Sequence, residues 1–132
     1  MIVWGELSDK AKFALQQGYV PLNTVFFMTG EHLEEILGVL NSKAVLWYFH
    51  TFKCSYSGQG TARWLKYTVE EIPLMPSFPE GLREKVIQRM QLEKDSADSD
   101  ERERIDAEID ELIFDAYGFS AEQKAYLRQW NN

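Results

Sequence analysis

The residue types best suited to chemistry gather in one short stretch, "KCSYSGQGTARWLK" (53–66). Lys53, Arg63 and Lys66 supply cations that neutralise phosphates and release counterions in doing so. Tyr56, Ser57, Gln59 and Thr61 carry the short donors and acceptors that read base edges, and Gln and Arg side chains pair bidentately with adenine and guanine. Gly58 and Gly60 permit close backbone approach. The stretch contains no Asp or Glu, which a phosphate would repel, although the chain carries a formal charge of −7. The simpler alternative is an ordinary surface loop with Trp64 and Tyr67 tucked into the core.

Charge along the chain is segregated. Residues 93–115 hold eleven acids against Lys94, Arg102 and Arg104, a net −8 that leaves the remainder near +1. From Ile36 to Val69 there is no acid at all, while Lys43, Lys53, Arg63 and Lys66 are present. Segregation of this kind reflects partners more than folding. The acidic run itself reads as the solvated outer face of a helix pair.

Other chemistries lack their signatures. There is no Walker loop, no GxGxxG after a strand, no nucleophile elbow and no HExxH. "SGQG" (57–60) lacks the Lys-Ser/Thr of a phosphate cradle. Carboxylates on 100–117 alternate with an apolar stripe, so they are expected to point outward. Cys54, His32 and His50 occur singly without metal-ligand spacing, and one cysteine excludes an internal disulfide. No catalytic residue and no metal ligand is therefore assigned, and the chain alone is not expected to be an enzyme. No apolar run approaches the ~18 residues that span a bilayer, and no signal peptide opens the chain. A cytoplasmic protein without a membrane partner is the expectation.

The elements that must position the loop can be read from periodicity. At 132 residues and 45% hydrophobic content the chain is most simply one domain with a real core. "IVW", "KFAL" and "NTVFFMTG" read as strands, with Gly18 and Pro21 marking a turn. Leu33, Ile36, Leu37 and Leu40 share a helical face that Thr29 or Gly30 would cap. Asn41, a residue type that tolerates a left-handed helix end, and Ser42 interrupt this pattern, and Ser42 is expected to cap a second helix over about 43–52. "TVEE" (68–71) has the spacing of a capping box, cut short by Pro73, and "IPLMPSFP" (72–79) reads as an extended connector. Helices follow over 80–94, 100–117 with Gly118 at its stop, and a last one capped by Ser120 with Gln123. The turn "KDSADSD" predicts that the first two form an antiparallel hairpin. The fold class expected is α+β: a small, mostly antiparallel sheet with packed helices. Residues 1–79 would form the sheet-plus-helix part with the loop, and 80–132 the helical part of the same domain.

Three phrases in order, "NTVFFMTGEHLEEILGVLNSKAVLWYF" (23–49), "YSGQGTARWLKYTVEEIPLMP" (56–76) and "IDAEIDELIFDAYGFSAEQ" (105–123), carry a resemblance. The chain resembles the TaqI-like C-terminal specificity domain of adenine-specific DNA methyltransferases and fused restriction–modification enzymes. The landmarks are a strand ending in Thr-Gly, a helix closing on Leu40-Asn41-Ser42 and a glycine-bearing loop. Trp64 with Lys66, the Ile72-Pro73 turn and "IDELIFDAYG" complete them. The resemblance implies recognition of double-stranded DNA on behalf of a catalytic methyltransferase domain of the same protein. That domain would bind S-adenosylmethionine and carry an Asn-Pro-Pro-aromatic motif, which this sequence lacks, so no cofactor is expected in this chain. The competing reading is a protein-interaction module, or a DNA mimic, that uses the acidic helical hairpin.

Overall fold

A computed structural model describes residues 1–5, 7–8, 13–15, 25–53, 55–56, 62–63 and 69–130. Its strands in chain order are β1 (Ile2–Gly5), β2 (Leu7–Ser8), β3 (Ala14–Leu15), β4 (Val25–Met28), β5 (Ser55–Tyr56) and β6 (Ala62–Arg63). Its helices are α1 (Leu33–Leu40), α2 (Lys43–Tyr48) with a π-helical turn Phe49–Lys53, α3 (Leu82–Lys94), α4 (Ser99–Ala116) and α5 (Ala121–Gln129). The described residues are thus mostly helical with short antiparallel strands, an α+β arrangement as the sequence predicts.

β1 lies between β3 and β4, antiparallel to both, with Ile2 opposite Leu15 and Met28. Strand alternation turns Ile2 and Trp4 into the core and leaves Val3 partly exposed. Phe13, just before β3, is buried with its ring 5.4 Å from that of Trp4. A second ladder runs β2–β6–β5, with Arg63 opposite both Leu7 and Ser55, and Ala62 opposite Ser8 and Tyr56.

Sheet and helices are tied at "LNSK". Asn41 Oδ1 accepts from Phe13 N at 3.1 Å, and its Nδ2 donates to Phe13 O at 3.0 Å. This two-way amide clamp satisfies both backbone groups of Phe13 from a position 28 residues away. Asn41 ends α1 in a right-handed conformation (φ −90°), its backbone N–H reaching Leu37 O, while its side chain makes the junction to Phe13. Ser42 is the cap expected: its Oγ accepts from Val45 N and donates to Val39 O at 2.6 Å. α2 stops at Tyr48, where the ladder widens into the π-helical turn before residue 53.

At the start of α1 the cap is neither Thr29 nor Gly30. His32 occupies that position with φ 58° and makes no side-chain cap bond. Its imidazole is engaged with Glu35 instead.

The core runs continuously from Ile2 and Trp4 through Leu37, Val39, Leu40, Val45 and Phe49 to Leu82, Val86, Ile105, Ile109, Ile113 and Leu127. Each such buried side chain contributes roughly 1.5–3 kcal/mol of apolar burial. α1 approaches α3 closely at Gly38, where a Cβ would stand 2.7 Å from Val86 Cγ2. Within the connector, Ile72 and Met75 are buried anchors. Tyr117 Oη donates to Pro73 O at 2.6 Å, and burial pushes that hydroxyl up to about 12, so it remains a donor throughout the neutral range.

The C-terminal helices end as their sequences specify. Asp98 caps α4 by accepting from Glu101 N at 2.9 Å, and Ser120 with Gln123 forms a reciprocal capping box on α5. α4 closes in a Schellman motif: Phe119 N reaches Phe114 O, Gly118 N reaches Asp115 O, and Gly118 is left-handed (φ 77°). α3 closes the same way, Ala97 N to Leu92 O and Ser96 N to Glu93 O, but with a serine in the left-handed position (φ 52°). No helix among the described residues is long and apolar enough to cross a membrane.

Candidate nucleic-acid interface

The β5–β6 ladder is the frame of the candidate loop. Tyr56 pairs with Ala62, and Arg63 with Ser55, so two candidate contact residues seven apart in sequence sit on adjacent rungs. Lys53 ends the π-helical turn two residues before β5. β2 pairs along the other edge of β6 and makes this ladder three-stranded. Ser57, Gln59, Thr61 and Lys66 lie outside the described residues, as do Cys54, Trp64 and Tyr67. The backbone therefore brings together Lys53, Tyr56 and Arg63 of the seven candidates.

The acid-free run is not one surface. Leu37, Val39, Leu40, Ser42, Ala44, Val45 and Phe49 are buried, and at those positions a carboxylate would be desolvated without a partner. Lys43 is committed elsewhere, its Nζ donating to Arg128 O at 2.7 Å. Absence of acid calls for an external explanation only beyond Phe49. The approach to β5 is aromatic: Phe52 is 63% exposed, with its ring edge-on to Trp47 at 5.7 Å and tilted against Tyr48 at 5.4 Å. Phe52 is thus an exposed ring next to Lys53, and neither periodicity nor composition singles it out.

The acidic segment is largely occupied internally. Glu93 receives Arg89 and Arg102, Asp106 receives Arg89, and Glu108 receives Lys85 and Arg104. Glu111 pairs with Arg128 and Asp115 with Lys124. The Arg89 and Arg102 hydrogen bonds hold the Glu93 carboxyl below its ordinary range, and Lys85 does the same for Glu108. Asp110 departs from the outward orientation expected of this helix. It is partly buried, accepts from Lys43 N at 3.1 Å at the first residue of α2, and is pushed up to about 6 by burial. The sequence could not reveal this, because the partner is 67 residues away.

A second chemistry-bearing cluster lies at the starts of α1 and α3. His32 Nδ1 lies 2.9 Å from Glu35 Oε2, and its ring is 5.7 Å from that of Phe78. Glu35 is 6% exposed, and its Oε1 makes no hydrogen bond; Arg83 Nε stands 3.8 Å away. These residues border an open cleft of about 500 Å³ with Pro76, Ser77, Phe78 and Pro79. The carboxylate orients the imidazole, but among the described residues no hydroxyl or thiol is hydrogen-bonded to it to complete a nucleophilic set. Among the described residues, no group of three or more His, Cys, Asp or Glu is arranged to hold a metal.

Comparison with family models, curated proteins and solved structures finds no match for this chain.

Proposed function

We propose that this chain is the DNA target-recognition part of an adenine-specific DNA methyltransferase or fused restriction–modification enzyme. The observation that carries this reading is the β5–β6 ladder. It brings Tyr56 and Arg63 to adjacent rungs at the mouth of an acid-free, glycine-bearing loop. In this reading Lys53, Arg63 and Lys66 contact phosphates, and Tyr56, Ser57, Gln59 and Thr61 lie nearer the bases. Methyl transfer belongs to a catalytic domain of the same protein that binds S-adenosylmethionine. This chain contributes the choice of site and no catalytic residue, and its place is the cytoplasm.

The finer architecture is part of the same proposal. Residues 1–79 form the recognition part and 80–132 a helical part of one domain, in which α3 and α4 run as an antiparallel hairpin. Ion pairs 85–108, 89–106 and 93–102 support the hairpin, since partners rise along one helix as they fall along the other. The same pairs weigh against a DNA mimic, because a mimic needs its carboxylates free to meet a basic partner.

The test is duplex affinity as a function of salt. Lys53→Ala, Arg63→Ala and Lys66→Ala should each weaken binding and flatten the salt slope by about one unit. Neutralising Asp106 and Glu111 should leave DNA affinity unreduced. Variants that bind duplex with unchanged affinity and slope would refute the assignment.

A further inference from the structure

We infer that a cleft between α2 and α5 receives an arginine side chain from a partner polypeptide. This goes beyond the DNA reading and does not depend on it. The cleft measures about 290 Å³ and is lined by Trp47, Phe119, Glu122, Gln123, Tyr126 and Leu127. That is at the low end of small-molecule pockets, with room for one inserted side chain.

Its chemistry selects a planar cation. Three of the six lining residues are aromatic, and an aromatic ring attracts a cation that sits over its face through the ring quadrupole. Gln123 Oε1 already accepts from Ser120 N, which leaves Glu122 as the one charged side chain at the wall. Among the described residues the nearby cations are engaged: Lys124 pairs with Asp115, and Arg128 with Glu111. Glu122 thus faces the cleft without an internal counterion among the described residues. A guanidinium is weakly hydrated, stacks on aromatic rings and forks onto a carboxylate, which an ammonium does less well.

The surroundings favour a polypeptide over a free small cation. The aromatic surface continues out of the cleft across Trp47 to Phe52, whose ring is 5.7 Å away. Phe52 and Tyr126 are 63% and 58% exposed. A small ion would leave those rings in water, whereas a protein surface would cover them, and such aromatic-plus-charge patches mark interfaces.

The experiment is an NMR titration of the full ¹⁵N-labelled chain, following the Trp47 indole N–H. The probes are Ac-Ala-Arg-Ala-NH₂, its citrulline counterpart and tetramethylammonium chloride. The arginine peptide should shift the Trp47 indole and the Tyr126 amide saturably. The neutral citrulline peptide should bind about fivefold more weakly or worse, the size of a cation–aromatic contact with its carboxylate. Glu122→Gln should bring the arginine peptide down to the citrulline level. Equal affinity for the two peptides, an unaffected Glu122→Gln variant, or no shift at all would overturn the inference. So would tetramethylammonium binding as tightly as the peptide, which would make this a small-cation site. Should the variant lose spectral dispersion, the arginine–citrulline comparison on the unmodified chain decides alone.

Discussion

Asp110→Asn removes one charge where α4 meets the first turn of α2. Asp110 Oδ1 accepts from Lys43 N, and an asparagine oxygen can make the same bond. Burial raises the carboxyl from 3.8 to about 6; the Lys43 N–H opposes that rise, and the negative charges of Asp106 and Glu111 add to it. A raised value means the native state holds its proton longer than the unfolded chain. The contribution is therefore fully present below pH 3.8 and is lost as pH climbs through about 6. Two units at roughly 1.4 kcal/mol each give about 3 kcal/mol, an upper bound because the side chain is partly exposed. A carboxylate at a helix start gains only ~0.3–1 kcal/mol from the dipole, so desolvation wins. Urea denaturation of both proteins between pH 4 and 7.5 measures the difference directly. The asparagine variant should gain on the parent as pH rises, ending about 2–3 kcal/mol more stable at neutral pH. Taking the difference cancels Glu93 and Glu108, whose lowered values give the opposite slope in both proteins. A variant less stable than the parent at pH 7, or an offset that does not change with pH, would refute the reasoning.

Two further substitutions probe the packing and the turns. Gly38→Ala improves helix propensity by ~1 kcal/mol. Its Cβ would nevertheless meet Val86 Cγ2 at 2.7 Å, and overpacking costs ~1–3 kcal/mol against a stiff β-branched neighbour. Thermal denaturation should show net destabilisation, partly recovered by adding Val86→Ala; a stabilised Gly38→Ala would show that the helices separate freely. Ser96→Gly relieves a left-handed serine in a Schellman turn and should add ~0.5–1 kcal/mol, whereas Gly118→Ala should cost about as much. Equal effects of the same sign at both sites would contradict the turn argument.

What the sequence discloses and what it hides divide along the range of the interactions. α4 and α5 are legible because Ile105, Ile109 and Ile113 recur at helical spacing, and because Ser120 and Gly118 act within three residues of the ends they close. Ser42 is legible for the same reason. Asn41, Tyr117 and Asp110 are not, since their partners Phe13, Pro73 and Lys43 lie 28, 44 and 67 residues away. His32 is a surface histidine, 63% exposed, as its isolation in the sequence suggests, but the left-handed cap position it takes and its pairing with Glu35 one turn on are not legible there. The acid-free run was the most visible feature of the chain, yet two causes are merged in it. Up to Phe49 much of it reflects burial, and the stretch beyond is the part on which the DNA proposal rests.

The central claim is that residues 53–66 lie against DNA while 93–115 do not. Hydrogen exchange of the full chain with and without a saturating duplex tests it most directly. The account predicts slowed exchange across 53–66, lost when salt is raised, with exchange in 93–115 unchanged. Protection confined to 93–115, or no protection anywhere at low salt, would contradict it.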